Sequence, residues 1–276
     1  MTVRTALQQG AELLEKAGVA APRLTAEVLL CYAAGWERSH LYGHPEEDLT
    51  EVAWLHYGRY LFQRLEGAPT QHITRRQEFY GREFRVSPDV LIPRPETEHV
   101  VEAALRLAPS ARSVLDIGCG SGALAVTLQL ELKARVWATD ISTAALVVAS
   151  ENARRLGAAV RFLACDLASA LRGGVFDLVA CNPPYVPDGE QPSLQREVRD
   201  HEPAIALFGG PTGVEVYRRL VPEAQRLLCP GGWLIVELGY QIEGPVRGLL
   251  DNRWQDVEVT PDLAGWPRVL AARWSP

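Results

Sequence analysis

Residues 182–185, Asn-Pro-Pro-Tyr, follow directly on the apolar stretch FDLVAC. Asn182 precedes a proline and is pushed toward extended backbone, and neither Pro183 nor Pro184 carries an N–H. The turn therefore offers acceptors without competing donors. The Asn182 side-chain oxygen and the Pro183 carbonyl can each take one N–H of a planar NH2 group, and the Tyr185 ring can lie beside that plane. A nitrogen with a delocalised lone pair, held in this way, is aimed at an electrophile. Upstream, DIGCGSGA at residues 116–123 is a strand end running into a glycine-rich turn and a helix start. Its glycines, Gly118, Gly120 and Gly122, allow close backbone approach to a ligand, and the free N–H groups of the helix start can meet an electronegative group. Asp140 closes the next strand some twenty residues on, where a carboxylate can accept both hydroxyls of a ribose. Gly118, Gly120 and Ala123 also satisfy the dinucleotide pattern G-x-G-x-x-G/A, so the loop alone leaves the nucleotide type open. A tight turn with a surface aspartate is the plainer alternative. The NH2 receptor beside the loop implies methyl transfer to nitrogen.

Other reactive residues carry less. His201, in RDHEP, has the setting of a surface or substrate-contacting loop residue more than of a base. The five cysteines, Cys31, Cys119, Cys165, Cys181 and Cys229, contain no C-x-x-C pair and no histidine at zinc spacing. Reduced thiols in a cytosol fit this usage, and neither a metal site nor a disulfide framework is expected.

Two regions position these residues. Residues 1–75 repeat apolar side chains at helical spacing in ALQQGAELLEKAG, LTAEVLLCYAAGW and EVAWLHYGRYLFQRLEG, with Thr25 and Thr50 as candidate caps. Residues 76–98 contain EFYGREFRV, a hairpin-like connector. Residues 99–276 alternate strands (SVLDIG, ARVWATD, VRFLACD, FDLVACN, GGWLIVELG, DVEVTPD, RVLAARW) with helices, and a loop of about thirty residues follows Asn182. That order predicts an α/β domain with a doubly wound, mostly parallel seven-stranded sheet, preceded by a small helical domain. Ligands of such sheets bind beyond the carboxyl ends of the strands, where Gly118, Asp140 and Asn182 all fall.

Composition bounds the partners. The chain has 276 residues, 47% of them hydrophobic and 22% charged, with no apolar run long enough to span a membrane. The opening MTVRTALQQGAELLEKAG carries charges throughout, so no secretory signal is expected and a cytoplasmic location is. A net charge of -6 argues against a protein that grips long stretches of nucleic-acid backbone.

The glycine loop, Asp140 and the NPPY tetrapeptide together resemble the class I S-adenosylmethionine-dependent methyltransferases, which modify planar nitrogens through an N/D-P-P-Y/F motif. LIPRPETE at residues 91–98 and APRLTAEVLL in the helical region extend the likeness over almost the whole chain, to the glutamine methyltransferases of peptide chain release factors. That resemblance implies a Rossmann-like domain, S-adenosylmethionine as cofactor, and methylation of the amide nitrogen of the glutamine in the Gly-Gly-Gln loop of class 1 release factors. It implies that residues 118–122 line the methionine part of the cofactor, Asp140 holds the ribose, and Asp166 and Leu167 flank the adenine. Asn182, Pro183, Pro184 and Tyr185 would hold the glutamine, with Asn182 also beside the cofactor. Leu91 and Arg94 would pass close by, with Arg94 and Glu96 open to either an ion pair or a direct role. Arg75 departs from the pattern, standing where many members carry a glycine before the hairpin. An amide is a poor nucleophile, so catalysis is expected to rest on positioning without a base. A ribosomal-protein glutamine, an exocyclic amine of DNA or RNA, and a non-catalytic nucleotide-binding module are the alternatives; the intact NPPY argues against the last.

Overall fold

A computed structural model describes residues 1–276. The chain forms two compact units, one of residues 1–76 with 195–201 and one of residues 77–194 with 202–276.

The first unit holds α1 (Val3–Lys16), α2 (Pro22–Ala34), α3 (Arg38–Gly43), α4 (Glu51–Leu65) and α5 (Thr70–Thr74). Leu7, Leu14, Leu29, Leu30, Tyr57 and Leu61 make its core. Gly10 is the close-approach point: a Cβ there would stand 2.0 Å from the Tyr57 hydroxyl oxygen. Thr50 caps α4 by accepting from the Ala53 N–H at 3.1 Å. Thr25 does not cap: α2 already starts at Pro22, whose fixed φ and missing N–H suit the first helical position, so Thr25 lies within the helix. Arg75 ends α5 in the left-handed region with φ 59°. A glycine there would adopt this conformation with less strain.

The loop expected after Asn182 is structured. It carries a two-residue strand, Val186–Pro187, a 3-10 turn, and the helices Arg196–His201 and Ala204–Leu207. Residues 195–201 belong to the first unit, where buried Arg64 stands 2.6 Å from Glu197.

The second unit begins at Gln77, within β1 (Arg76–Phe79), which forms the hairpin with β2 (Arg82–Arg85). It is more than a linker, because Phe79 and Phe84 are fully buried in the same core as α6 (Glu98–Leu107) and α7 (Ala123–Leu132). The remaining strands are β3 (Ser113–Ile117), β4 (Arg135–Asp140), β5 (Val160–Ala164), β6 (Phe176–Cys181), β7 (Val186–Pro187), β8 (Phe208–Gly210), β9 (Leu228–Glu237), β10 (Trp254–Pro261) and β11 (Pro267–Trp274). Seven of them form one sheet in the order β10-β11-β9-β6-β3-β4-β5, with only β11 antiparallel to its neighbours. Strand β3 is buried on both faces, as a central parallel strand must be. The chain runs outward from β3 through β4 to β5, then returns to β6 on the other side of β3. That reversal opens a crevice beyond the carboxyl ends of β3, β4 and β6, which places the glycine turn, Asp140 and Asn182 around one space.

Candidate active site

A cavity of about 300 Å³ occupies the crevice. Of the residues expected from sequence, Leu91, Gly118, Gly120, Asp140, Asp166, Leu167, Asn182, Pro183 and Pro184 line it. Cys119, Ser121, Gly122, Tyr185 and Arg94 do not.

The glycine turn shows why. Gly120 has φ +52°, and a Cβ there would meet no protein atom, so the turn leaves its cavity side open. Gly122 faces inward: a Cβ would press on the Ala149 Cβ at 3.1 Å, against the helix α8 (Thr143–Leu156). Ser121 is buried, and its carbonyl accepts from the Asn152 amide at 2.9 Å. Asp140 locks the turn from the next strand. Its carboxylate accepts from the Gly120 N–H at 2.9 Å and from the Ser142 N–H at 2.8 Å. Each oxygen retains acceptor capacity on its cavity side.

Asp116 closes the base of the turn. It is fully buried; one oxygen accepts from the Ala125 N–H at 3.0 Å and the other has no donor. Burial, with the Asp140 charge adding, pushes its carboxyl up to about 7. Burial likewise raises the thiols of Cys119 and Cys181 well above the usual range, so both are protonated at neutral pH and poor metal ligands.

At the far wall Asp166 is held by Arg219 at 2.5 Å. Leu167 adopts φ +49°, a strained setting for a leucine, and its side chain lines the cavity. Ile141, Ile205 and Phe208 complete an apolar wall suited to a flat ring. Sequence reasoning missed these three, yet Ile141 and Ile205 are among the exposed large hydrophobic residues of the chain.

Around NPPY the side chains diverge. The Asn182 Nδ2 donates to Thr97 Oγ1 at 3.1 Å, which leaves Oδ1 as its free acceptor. Tyr185 does not line the cavity, and its hydroxyl donates to Glu237 Oε1 at 3.1 Å. Its ring is braced by Gly239, where a Cβ would fall 2.6 Å from Tyr185 Cδ2. Glu237 is buried at the end of β9 and also accepts from Thr97 Oγ1 at 2.5 Å. Burial, outweighing these hydrogen bonds, raises its carboxyl to about 7. Neither Thr97 nor Glu237 stood out in the sequence as a site residue. Arg94 pairs with buried Glu202 and not with Glu96; Glu202 also accepts from the Ile92 N–H at 3.1 Å, fixing the segment that carries Leu91. His201 ends the helix Arg196–His201 of the first unit and does not line the cavity.

Residues 5–74 match the family model of the PrmC N-terminal domain, and residues 99–199 that of the methyltransferase small domain. A release factor glutamine methyltransferase of Koribacter versatilis is 46% identical over 277 residues, covering 99% of each chain. One of Moorella thermoacetica is 44% identical over 279 residues, covering 99% of this chain and 98% of its own. Among solved structures, a methyltransferase of Pyrococcus furiosus superposes with a TM-score of 0.57 at 18% identity, over 79% of this chain and 100% of that one. The 16S rRNA N2 G1207 methyltransferase of Thermus thermophilus, solved with AdoMet and guanosine, gives 0.53 at 23% identity, over 72% of this chain and 49% of its own. These two share the fold.

Proposed function

Because the chain belongs to the release factor glutamine methyltransferase family, we propose that it moves a methyl group from S-adenosylmethionine to the side-chain amide nitrogen of the glutamine in the Gly-Gly-Gln motif of class 1 peptide chain release factors. The observation that carries this reading is the free Oδ1 of Asn182 at the wall of the same cavity that Gly118, Gly120 and Asp140 line.

The cofactor fits the residues present. Asp140 keeps acceptor capacity toward the cavity for a pair of hydroxyls, and the apolar wall of Leu167, Ile141 and Phe208 suits an adenine ring. Asp116 has a buried carboxylate oxygen without a donor beneath the glycine turn, as a cationic amino-acid end requires. When bound, S-adenosylmethionine supplies an electrophilic methyl group on a sulfonium.

The chain's own residues act on the other reactant. Asn182 Oδ1 and the Pro183 carbonyl take the two N–H bonds of the glutamine amide, holding it in one plane and one rotation. As nitrogen attacks, its N–H bonds become more acidic and both hydrogen bonds strengthen, which favours the transition state over the ground state. The proton is lost late in the step or to water. The helical unit, with its match to the PrmC N-terminal domain, serves recognition of the protein substrate. No helix of the protein is long and apolar enough to cross a membrane, and its five unpaired cysteines suit the reducing cytoplasm.

Labelled S-adenosylmethionine and the enzyme should be incubated in parallel with a purified release factor, its Gln→Glu form, ribosomal protein and DNA. We expect label on the release factor alone, at the Gly-Gly-Gln glutamine by mass spectrometry. Labelling of the Glu form, or faster labelling of ribosomal protein or DNA, would overturn the reading.

A further inference from the structure

Thr97 and Glu237 lie 140 residues apart in sequence and meet behind Asn182. A threonine hydroxyl has one hydrogen and two lone pairs. Here the hydrogen is committed to Glu237 Oε2 at 2.5 Å, a separation typical of a hydroxyl donating to a carboxylate. Thr97 can then only accept from Asn182, at 3.1 Å. An asparagine amide has two nearly isosteric orientations that differ by exchanging O and NH2. With a hydroxyl that only accepts behind it, the side chain must turn NH2 toward Thr97 and Oδ1 away.

We propose that Thr97 and Glu237 are positioning residues that fix the polarity of Asn182, making it an acceptor for an NH2 group and so selecting an amide substrate over a carboxylate. The inference rests on the amide-receptor reading above. In the flipped orientation Asn182 would point NH2 at the substrate NH2, and the receptor would repel what it is meant to hold. Glu237 serves Tyr185 as well: its two oxygens accept from two hydroxyls, so the NPPY turn is tied to one buried carboxylate at both ends.

The test compares Thr97→Val, which keeps the shape but loses the hydroxyl, with Thr97→Ser, which keeps the hydroxyl. It is run at pH 8, above the value near 7 of the Glu237 carboxyl. The chain has three asparagines, Asn152, Asn182 and Asn252, so asparagine-selective 15N labelling gives three side-chain NH2 pairs to follow without substrate. In the parent enzyme the Asn182 pair, assigned by its loss in Asn182→Ala, should exchange with water at least tenfold more slowly than that of exposed Asn252. In Thr97→Val this protection should vanish while Asn152 keeps its own. Thr97→Val should slow single-turnover methyl transfer about 10- to 100-fold, as an unmet buried donor predicts, with S-adenosylmethionine affinity within twofold of the parent. Thr97→Ser should restore the rate to within about threefold. The double variant Asn182→Ala/Thr97→Val should be no slower than Asn182→Ala, since Thr97 acts through Asn182.

Additive losses in the double variant, or an unprotected Asn182 amide in the parent, would overturn the assignment. If Thr97→Val does not fold, Thr97→Ala, which also lacks the hydroxyl, replaces it, and the same loss of protection and rate is expected. Parental rate and protection in that variant would equally overturn the proposal. A parent enzyme that leaves release factor unlabelled would refute the functional reading instead, and the exchange measurement would still decide the role of Thr97.

Discussion

Asp140 places one oxygen on the Gly120 N–H and the other on the Ser142 N–H, so it is both a clamp on the glycine turn and a candidate ribose acceptor. The substitution Asp140→Asn separates these roles poorly in static terms but clearly in binding. Its one carbonyl oxygen can satisfy only one backbone donor, and its NH2 faces the other. We expect S-adenosylmethionine to bind about 10- to 100-fold more weakly by calorimetry, the effect of one lost charged acceptor. Unchanged affinity in a folded variant would remove Asp140 from the site. Asp140 and Asn182 were legible because one ends β4 and the other directly follows β6, positions the alternation of elements already marks. Thr97 and Glu237 were not, since a threonine before a helix reads as a cap and a glutamate at the end of a strand reads as surface. Only the three-dimensional pairing of distant segments gives them a task.

At the scale of elements the alternation of strands and helices was readable because β3, β6 and the second half of β9 are near-continuous apolar runs and the helix Glu215–Leu227 between β6 and β9 is strongly periodic. The segment after NPPY was not, because its strands β7 and β8 are two and three residues long and its helices are short. Yet β7 and β8 pair with each other, and they bring Gly209 against the NPPY turn. A Cβ at Gly209 would stand 2.5 Å from the Pro184 carbonyl oxygen and 3.0 Å from Tyr185 Cα, both backbone atoms with no flexible end to yield. Gly209→Ala must therefore displace the NPPY turn. Methyl transfer should fall about 100-fold, the cost of roughly 1 Å of misplacement, with cofactor affinity changed less because the glycine turn and Asp140 lie on other strands. Single-turnover rates and calorimetry on the same sample check this; a parental rate would show that the turn does not depend on β8 for its position.

Over the whole molecule the site's buried acids set how stability varies with pH. Asp116 and Glu237 rise on folding from 3.8 and 4.5 to about 7, chiefly through burial. The Asp140 charge adds to the shift of Asp116. At Glu237 the hydrogen bonds from Thr97 and Tyr185 and the charge of Arg268 oppose the shift, and Glu96 reinforces it. Between these limits the folded chain binds protons that the unfolded chain has released, so unfolding free energy falls as pH rises. The contribution is complete below about pH 4 and is lost through pH 7. Other carboxylates act in the opposite sense. Asp251 and Asp262 are lowered by hydrogen bonds from Arg253 and Arg268, and at Glu27 burial is outweighed by Tyr42, Arg38 and Arg23. Their stabilisation is present above the usual carboxylate range and is lost as pH falls through their folded values. Stability should therefore peak on the acid side of neutrality. For the cofactor-free protein we expect the Tm of the transition containing residues 77–194 and 202–276 to fall on the order of 5–10 °C between pH 5.5 and 8.5. Asp116→Asn, which cannot ionise, should remove about half of that slope, and a further Glu237→Gln most of the remainder. Calorimetric scans at pH 5.5, 7 and 8.5 measure it directly. A parent Tm that rises over this range, or a slope that survives both substitutions, would mean that these two carboxyls enter the folded state already ionised.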